Sequence, residues 1–360
     1  MKAIIRRELK NYLKNPFFWI GLFFIVFQMY QILSPYLHIH YYQQGEAAEE
    51  LAEENIGDAD ITDGYVPTDE GKRMELACEL VKRDMAQELN MTEEEAGEIL
   101  AKMRREDMSL EEMEIRLAED YNFYTKYGIR YYYDISEFHK GSAGEINDYL
   151  DRSLSEHSYS YYLGRKFTDF CGLFLGFTAM LLLAFLFIRD TKRDTWELLH
   201  TKPLSASAYI CGKAMGGFLA MVLLWGFLTL LFGGMCEYAG IQNGFPVSFP
   251  VFFAAAAVYI LPNLLMIACV YTAAALVFKN PLPAVPVLFL YMIYSNMGSR
   301  GPDGNYGYFG RPLAIMVRFP GKFFETEQPP LVLLNQTFLI CASVLLLILS
   351  ISIWKRRWIY

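Results

Sequence analysis

Two long apolar runs, residues 167–188 and 214–235, most constrain how this chain can fold. An α-helix rises about 1.5 Å per residue, so about 20 residues cover the roughly 30 Å of hydrocarbon in a bilayer. Each run is long enough to cross it. The polar segment between them, residues 189–213, must then lie on one face of the membrane.

Four more apolar runs complete an all-α membrane protein with six predicted spans. They are residues 16–36, 250–278, 282–298 and 331–353. The fourth span is long enough to tilt and contains Pro262, where we expect a kink. The fifth is short and carries Pro283 and Pro286.

The N-terminal residues 1–15 form a basic amphipathic pattern, with Ile4, Ile5 and Leu9 set against arginines and lysines. Such a helix lies along the lipid headgroups, so membrane lipid is one expected partner. The apolar run that follows is too long for a secretory signal and lacks a small-residue cleavage site. Asn15-Pro16 separates this helix from the first span.

Residues 37–166 form an insert whose composition differs from the rest of the chain. Residues 37–163 hold 31 acidic and 12 basic residues, a net charge of -19, and the remainder has a net charge of +11. This asymmetry argues against nucleic acid as a partner. Two capping boxes, Thr92 with Glu95 and Ser109 with Glu112, predict helix starts.

The insert also carries two apolar stripes at helical spacing, which we expect to pack together. The first is Ala96, Ile99, Leu100 and Met103, and the second is Leu110, Met113, Leu117 and Tyr121. About 125 residues suffice for a small core. We therefore predict a helical domain, apart from the acidic stretch at residues 45–64.

The distribution of lysine and arginine predicts the orientation. Short loops rich in these residues stay cytoplasmic. Residues 1–15 and the loop 189–213 carry five each, and the tail 354–360 carries three, whereas residues 236–249 carry none. We therefore expect both termini and the 189–213 loop in the cytoplasm and the insert outside the cell.

The loop itself carries a motif: DTWELLHTKPLS, followed by ICGK. Asp194 or Thr195 can cap a short helix that presents Trp196 and Leu199 before Pro203 discourages continuation. A short amphipathic helix suits another protein's groove. The alternative is that the loop only fixes the topology through its positive charge.

This motif resembles the segment after the second span in the ABC transporter type-2 permease family. In that family the segment is a coupling helix that docks on a separate ATPase subunit. The resemblance implies this coupling role for the following residues: Asp194, Thr195, Trp196, Glu197, Leu198, Leu199, Pro203, Gly212 and Lys213. Asp194 stands where a glycine is common in that family.

The resemblance further implies the permease subunit of an ATP-driven exporter in the plasma membrane of a bacterial cell. Two permease subunits, identical or similar, would pair around a central path for a lipid, peptide or drug-like substrate. The second and fifth spans would line the path or the dimer interface through Gly172, Gly176, Tyr291, Tyr294 and Asn296. Small outer helices before the last span close the exit in that family. We accordingly interpret residues 299–330 as a re-entrant or interfacial segment.

No nucleotide site is predicted on this chain, which we expect not to be an enzyme. A phosphate-cradling loop needs Gly-Lys followed by Ser or Thr. The three Gly-Lys pairs are followed by Arg73, Ala214 and Phe323. No cofactor is therefore expected here, and ATP and Mg²⁺ are expected on the partner ATPase.

Other interpretations compete. A membrane-anchored sensory protein would use the acidic insert to bind a ligand. Glu111, Glu112 and Arg116 match the motif of an intramembrane protease, which requires that motif inside the bilayer. Remaining candidates are a calcium loop (Asp58, Asp60 and Asp63), a metal site (His38 and His40) and an external disulfide (Cys78 with Cys236).

Polar residues within predicted spans cost free energy in lipid, so they should face protein or water. They are Asp169, Asn263, Ser295, Asn296, Asn335 and Gln336. Hydrogen bonding between helices is the plainer interpretation. Gly212 and Gly216, four residues apart, favour close helix packing.

Overall fold

The computed structural model describes residues 1–43, 60–106, 108–124, 128–188, 190, 205–300, 306–307 and 310–357. The fold is mostly helical, with two short two-stranded sheets among these residues. The chain forms two compact units. One comprises Met1–His38 and Leu154–Tyr360, and the other comprises Ile39–Ser153.

Within the part of the first unit that the structure describes, five helices are long and apolar enough to cross a membrane. They are α2 (Pro16–Leu37), α8 (Tyr159–Leu183), α9 (Ala206–Gln242), α10 (Phe249–Phe278) and α12 (Val332–Arg357). The predicted fifth span is helix α11 (Ala284–Asn296), whose 13 residues cover about 20 Å. This length is less than the hydrocarbon thickness, so the structure supports five spans by length.

Helix α1 (Lys2–Leu13) precedes α2 and is the predicted amphipathic helix. Asn15 caps the start of α2, because its side chain accepts a hydrogen bond from the Phe17 amide at 3.1 Å. Pro16 occupies the first position of α2. Proline is tolerated there because an amide hydrogen at that position would have no acceptor within the helix.

Helix α8 differs from the predicted span 167–188 at both ends. It begins at Tyr159 and so includes the polar residues before Phe167, which are buried. It ends at Leu183. Helix α9 has 37 residues and is about 55 Å long, well over the thickness of the hydrocarbon. Helix α10 runs unbroken through Pro262 and packs against both α8 and α12.

Residues 310–331, which we call the buried segment, contain no helix. A helical form of the predicted re-entrant or interfacial segment is therefore wrong for this part, and its place at the membrane stays a prediction. The backbone is irregular, but Ile315, Phe319 and Phe323 are fully buried. Irregular backbone at membrane depth is tolerated where protein surrounds it.

The described residues of the second unit form five α-helices: α3 (Glu70–Glu88), α4 (Glu93–Arg105), α5 (Leu110–Tyr121), α6 (Ile129–Ile135) and the start of α7 (Ala143–Glu156). Strand β1 (Tyr65–Pro67) pairs with β2 (Phe138–Lys140), and β3 (Ser299–Arg300) pairs with β4 (Tyr306–Gly307) in the first unit. Both predicted capping boxes are confirmed. The two apolar stripes share one hydrophobic core, as predicted.

The structure bears on three of the competing interpretations: the protease motif, the disulfide and the calcium loop. Helix α5, which carries Glu111 and Glu112, is not one of the five apolar helices. Cys78 and Cys236 are both free thiols in the structure, so the candidate disulfide between them is not formed. Asp60 accepts a hydrogen bond from the Ile61 amide at 2.8 Å and caps a single 3-10 turn, while Asp58 lies outside the described residues.

Candidate functional site

The first candidate site lies where α1 packs against the start of α9. Two glycines of α9 permit this close approach. A Cβ on Gly212 would lie 3.1 Å from the Ile4 side chain, and a Cβ on Gly216 would lie 2.6 Å from Glu8 Cβ. The close packing predicted from the Gly212–Gly216 spacing is therefore formed, with α1 as the partner.

A buried ion cluster joins these helices to the end of the predicted second span. The Lys213 Nζ lies 2.8 Å from Glu8 Oε1 and also forms an ion pair with Asp190. The Tyr209 hydroxyl donates to Asp190 Oδ2 at 2.9 Å. We call these four residues the loop-end cluster, because Asp190 and Lys213 flank the predicted coupling loop.

The backbone before Asp190 is strained. Phe187 has a φ of +65°, a left-handed conformation that bulky residues rarely adopt. The turn lets the Asp190 amide donate to the Phe187 carbonyl at 2.8 Å. The Phe187 ring contacts Tyr209 edge to face and lies 5.4 Å from Lys213 Nζ. The strain is thus associated with the turn that carries Asp190 to the cluster.

A cavity of about 450 Å³ lies beside the loop-end cluster. Arg7 and Asn11 line it from α1, and Lys14 lines it from the residue directly after that helix. Phe17, in the first turn of α2, and Phe185, just after the end of α8, also line it. Among the described residues, Arg7 and Lys14 have no ion-pair partner. The cavity thus combines unpaired positive charge with an aromatic wall.

The second candidate site is the contact between α8 and the buried segment. Three charged side chains near the start of α8 are buried: Arg165, Lys166 and Asp169. Arg165 donates to the Thr326 carbonyl, Lys166 donates to the Gly321 carbonyl at 2.5 Å, and Asp169 accepts from Arg318. Each charge therefore has a partner on the buried segment, which offsets the cost of removing it from water.

Helix α11 also forms hydrogen bonds with the buried segment. Tyr291 donates to the Leu313 carbonyl, and Tyr294 donates to the Pro312 carbonyl at 2.9 Å. Ser295 accepts from the Ile315 amide at 2.9 Å, and Asn296 accepts from Arg318 at 2.6 Å. The bonds from Tyr291, Tyr294 and Ser295 satisfy backbone groups that an irregular chain would otherwise leave unpaired.

Comparison of the chain with protein-family models identifies a family. Residues 2–303 match the model of the ABC-2 family transporter protein. The chain belongs to the ABC-2 transporter family. This membership makes it a multi-pass membrane protein and a transport subunit of the ABC permease type. Comparison with curated proteins gave no match, and comparison with solved structures gave none.

In this ABC-2 family chain, four of the five residues predicted for the path or dimer interface meet at the buried segment. They are Tyr291, Tyr294, Asn296 and Gly176, where a Cβ would lie 2.6 Å from the terminal methyl of Met316. The fifth, Gly172, faces Ile260 of α10 instead, at 3.8 Å. Whether any of them lines a path or an interface between subunits stays a prediction.

The predicted coupling residues cannot be placed in the same way. Asp194, Thr195, Trp196, Glu197, Leu198, Leu199 and Pro203 all lie outside the described residues. Only the flanking positions are described, with Asp190 on one side and Gly212 and Lys213 on the other. The place of Asp190 and Lys213 in the loop-end cluster was not predicted, and Gly212 lies beside that cluster against Ile4.

Polar residues predicted inside spans have different environments. Asn335 accepts from the Leu313 amide at 2.6 Å and donates to the Arg311 carbonyl at 2.8 Å. By contrast, the Asn263 side-chain carbonyl and both amide atoms of Gln336 are buried without a hydrogen-bond partner among the described residues.

Sequence reasoning missed Glu8, for which a signal existed, and Arg165 and Lys166, for which none did. Glu8 follows Ile4 and precedes Tyr12 at four-residue spacing, so it is an acidic residue on the apolar stripe of α1. Arg165 and Lys166 were assigned to the insert because they precede an apolar run. Their burial depends on the buried segment more than 150 residues later, and no local pattern reveals it.

The second unit carries a further polar cluster around His139. Lys72 Nζ lies 2.6 Å from His139 Nε2, and Thr68 Oγ1 lies 3.0 Å from His139 Nδ1. An ammonium group can only donate, so Nε2 accepts and Nδ1 carries the proton. Burial, followed by the Lys72 charge, lowers the pKa of His139. Hydrogen bonds from the Ser142 backbone and from Lys72 lower the pKa of Glu145 to about 2.

Proposed function

We propose that this chain is the permease subunit of an ATP-driven exporter whose ATPase is a separate polypeptide. The observation that carries the proposal is the buried ion pair between Asp190 and Lys213, which joins the two ends of the predicted coupling loop. Glu8 ties the same lysine to α1. A force applied to the loop would then act on α1, α8 and α9 together.

The loop supplies the docking surface in this proposal. Trp196 and Leu199 insert into a groove of the ATPase, and Glu197 adds a polar contact at the rim. ATP and Mg²⁺ bind on that partner. Closure of two ATPases shifts a pair of permease subunits between inward-open and outward-open states.

The proposed topology retains six membrane crossings with both termini in the cytoplasm of a bacterial cell. Helix α11 is too short to cross alone by length, so the buried segment fills the remaining depth beside it. Hydrogen bonds from Tyr294 and Asn335 to that segment support this arrangement. The acidic insert is then extracellular, and the buried segment lies near its side of the membrane.

The proposed path runs beside α8 and α11, whose exposed surfaces are apolar and aromatic. Val287, Phe289 and Leu290 are all exposed in the single chain. Such surfaces would pair with a second permease subunit and suit a hydrophobic or amphipathic substrate.

Docking is tested by co-purification with a candidate ATPase that carries a nucleotide-binding motif. The double variant Trp196→Ala/Leu199→Ala should insert normally and lose the ATPase. The control His200→Ala/Lys202→Ala changes two residues of the same loop outside the proposed contact and should retain it. Full ATPase retention by the first variant would refute the docking role.

Orientation has a separate test in intact cells, with the six natural cysteines replaced. A cysteine at Lys192 should react with a membrane-impermeant reagent only after permeabilisation. A cysteine at Glu119, in the insert, should react without it. Labelling of position 192 from outside would place the loop on the wrong face.

A further inference from the structure

We propose that the cavity beside the loop-end cluster binds the phosphate headgroup of an anionic membrane phospholipid. This inference concerns ligand binding by the chain itself, and it does not require that the transport proposal be correct. The cavity, of about 450 Å³, falls in the range of small-ligand pockets, about 300–1,000 Å³.

Charge is the first argument. Within the described part of the chain, Lys213 is already paired with two carboxylates, whereas Arg7 and Lys14 have no ion-pair partner. Both line the cavity, seven residues apart along α1, and so lie on the same side of the helix. Arginine and lysine are the side chains that commonly bind phosphate. The amide side chains of Asn11 and Asn15 at the same wall add neutral hydrogen-bond donors.

The aromatic part of the cavity lining identifies the rest of the ligand. The rings of Phe17 and Phe185 stack with centroids 6.3 Å apart, and both are about half exposed. From Phe17 an exposed apolar ridge continues along α2 through Ile20, Phe23 and Phe27. Because α2 is a candidate membrane span, this ridge faces acyl chains. A ligand that satisfies both walls has an anionic head and an apolar tail.

The location gives the ligand a structural consequence. Arg7 is adjacent in sequence to Glu8, whose carboxylate binds Lys213 at 2.8 Å. A phosphate bound by Arg7 and Lys14 would hold α1 against the α1–α2 turn and the end of α8. The bound lipid would therefore stabilise the loop-end cluster.

Native mass spectrometry of the full-length chain in detergent tests the proposal, with phosphatidylglycerol as the probe and phosphatidylcholine as the zwitterionic comparison. Arg7→Gln/Lys14→Gln is the test variant. Arg6→Gln/Lys10→Gln is the matched control, since it removes one arginine and one lysine from the same helix at exposed positions that do not line the cavity.

We expect the wild type to prefer phosphatidylglycerol. The test variant should bind it about tenfold more weakly than the control, because one hydrogen bond to a charged group is worth at least that factor. Arg7→Lys/Lys14→Arg keeps both charges and should bind nearly as well as the wild type. Arg7 and Lys14 are exposed, so the unfolding midpoint measured without added lipid should not change.

Equal losses in the test and control variants would mean diffuse surface attraction and would overturn the site. Loss of binding by the charge-preserving variant, or equal affinity for phosphatidylcholine, would overturn it as well. Inorganic phosphate is added as a soluble competitor. Displacement of the lipid at equal concentration would show a free-anion site and would overturn the lipid assignment.

Discussion

The ammonium group of Lys213 lies 2.8 Å from the Glu8 carboxylate, although 205 residues separate them along the chain. Both side chains are buried, and a buried charge without a partner is costly. This pair attaches the N-terminal helix to the helix that follows the predicted coupling loop.

Loss of the Lys213 charge should therefore destabilise the first unit. Lys213→Met leaves Glu8 and Asp190 buried as uncompensated carboxylates. We expect the free energy of unfolding in detergent to fall by about 3–5 kcal/mol. The control Lys279→Met removes an exposed lysine and should change stability by less than about 0.5 kcal/mol. Similar values for the two variants would contradict an energetic role for the cluster.

Gly216→Ala tests the approach of α1 to α9. The new Cβ would lie 2.6 Å from Glu8 Cβ, so α1 must shift, and we expect a lower unfolding midpoint and weakened Lys213–Glu8 pairing. Gly226→Ala on the same helix meets no atom within 4 Å and should be neutral or slightly stabilising, because alanine favours helix. The measurement is thermal unfolding of both variants, and an equal response would exclude close packing as the cause.

Gly176→Ala should be tolerated better than Gly216→Ala, even though each Cβ would meet an atom at 2.6 Å. At Gly176 that atom is the terminal methyl of Met316, a flexible side chain that can move. Side-by-side unfolding midpoints check the order. The reverse order would mean that Met316 is held more rigidly than its side-chain chemistry suggests.

Asp169→Asn should loosen the buried segment, because it leaves the Arg318 guanidinium without its anionic partner. We expect faster amide hydrogen exchange at residues 314–319, measured by mass spectrometry on the full-length protein. Glu237→Gln, which alters a carboxylate that accepts from Ser160, is the control and should leave those amides unchanged. Unchanged exchange in Asp169→Asn would show that the hydrogen bonds from α11 are enough to keep the buried segment in place.

Acid should weaken the strand pair next to His139. The pKa of His139 is lowered in the folded protein, so the unfolded chain binds more protons once the pH falls below its ordinary value of about 6.5. Stability conferred by neutral His139 is present above that pH and is lost as the pH falls toward the lowered pKa. Lys72 and Asp69 also face the ring, and Glu145 Oε1 lies 3.5 Å from Nε2.

The observable is hydrogen exchange at residues 65–67 and 138–140 in the intact protein, corrected for the intrinsic rate at each pH. Exchange should rise between about pH 7.5 and pH 5.5, a range that brackets the ordinary histidine pKa of about 6.5. His139→Gln should abolish this difference. A variant that retained the full pH response would assign it to another group.

Local patterns predicted a helix well where the residues that determine it lie close together in the sequence. Thr92 with Glu95 and Ser109 with Glu112 start helices as predicted, because a capping box involves four consecutive residues. Ser142 with Glu145 forms the same reciprocal bonds and was not predicted. The boundary of α8 was wrong, since Arg165 and Lys166 gain their partners from distant chain.

The sequence alone determined the helical character, the long apolar runs, the acidic insert and the resemblance to ABC-2 permeases. These depend on composition and on the repeat of one helix, which neighbouring residues specify. Tertiary structure decided that Glu8 and Asp190 meet at Lys213, and that the charges of α8 bind the buried segment. Those contacts join residues that are distant along the chain, and the free energy of pairing buried charges depends on the packing that excludes water from them.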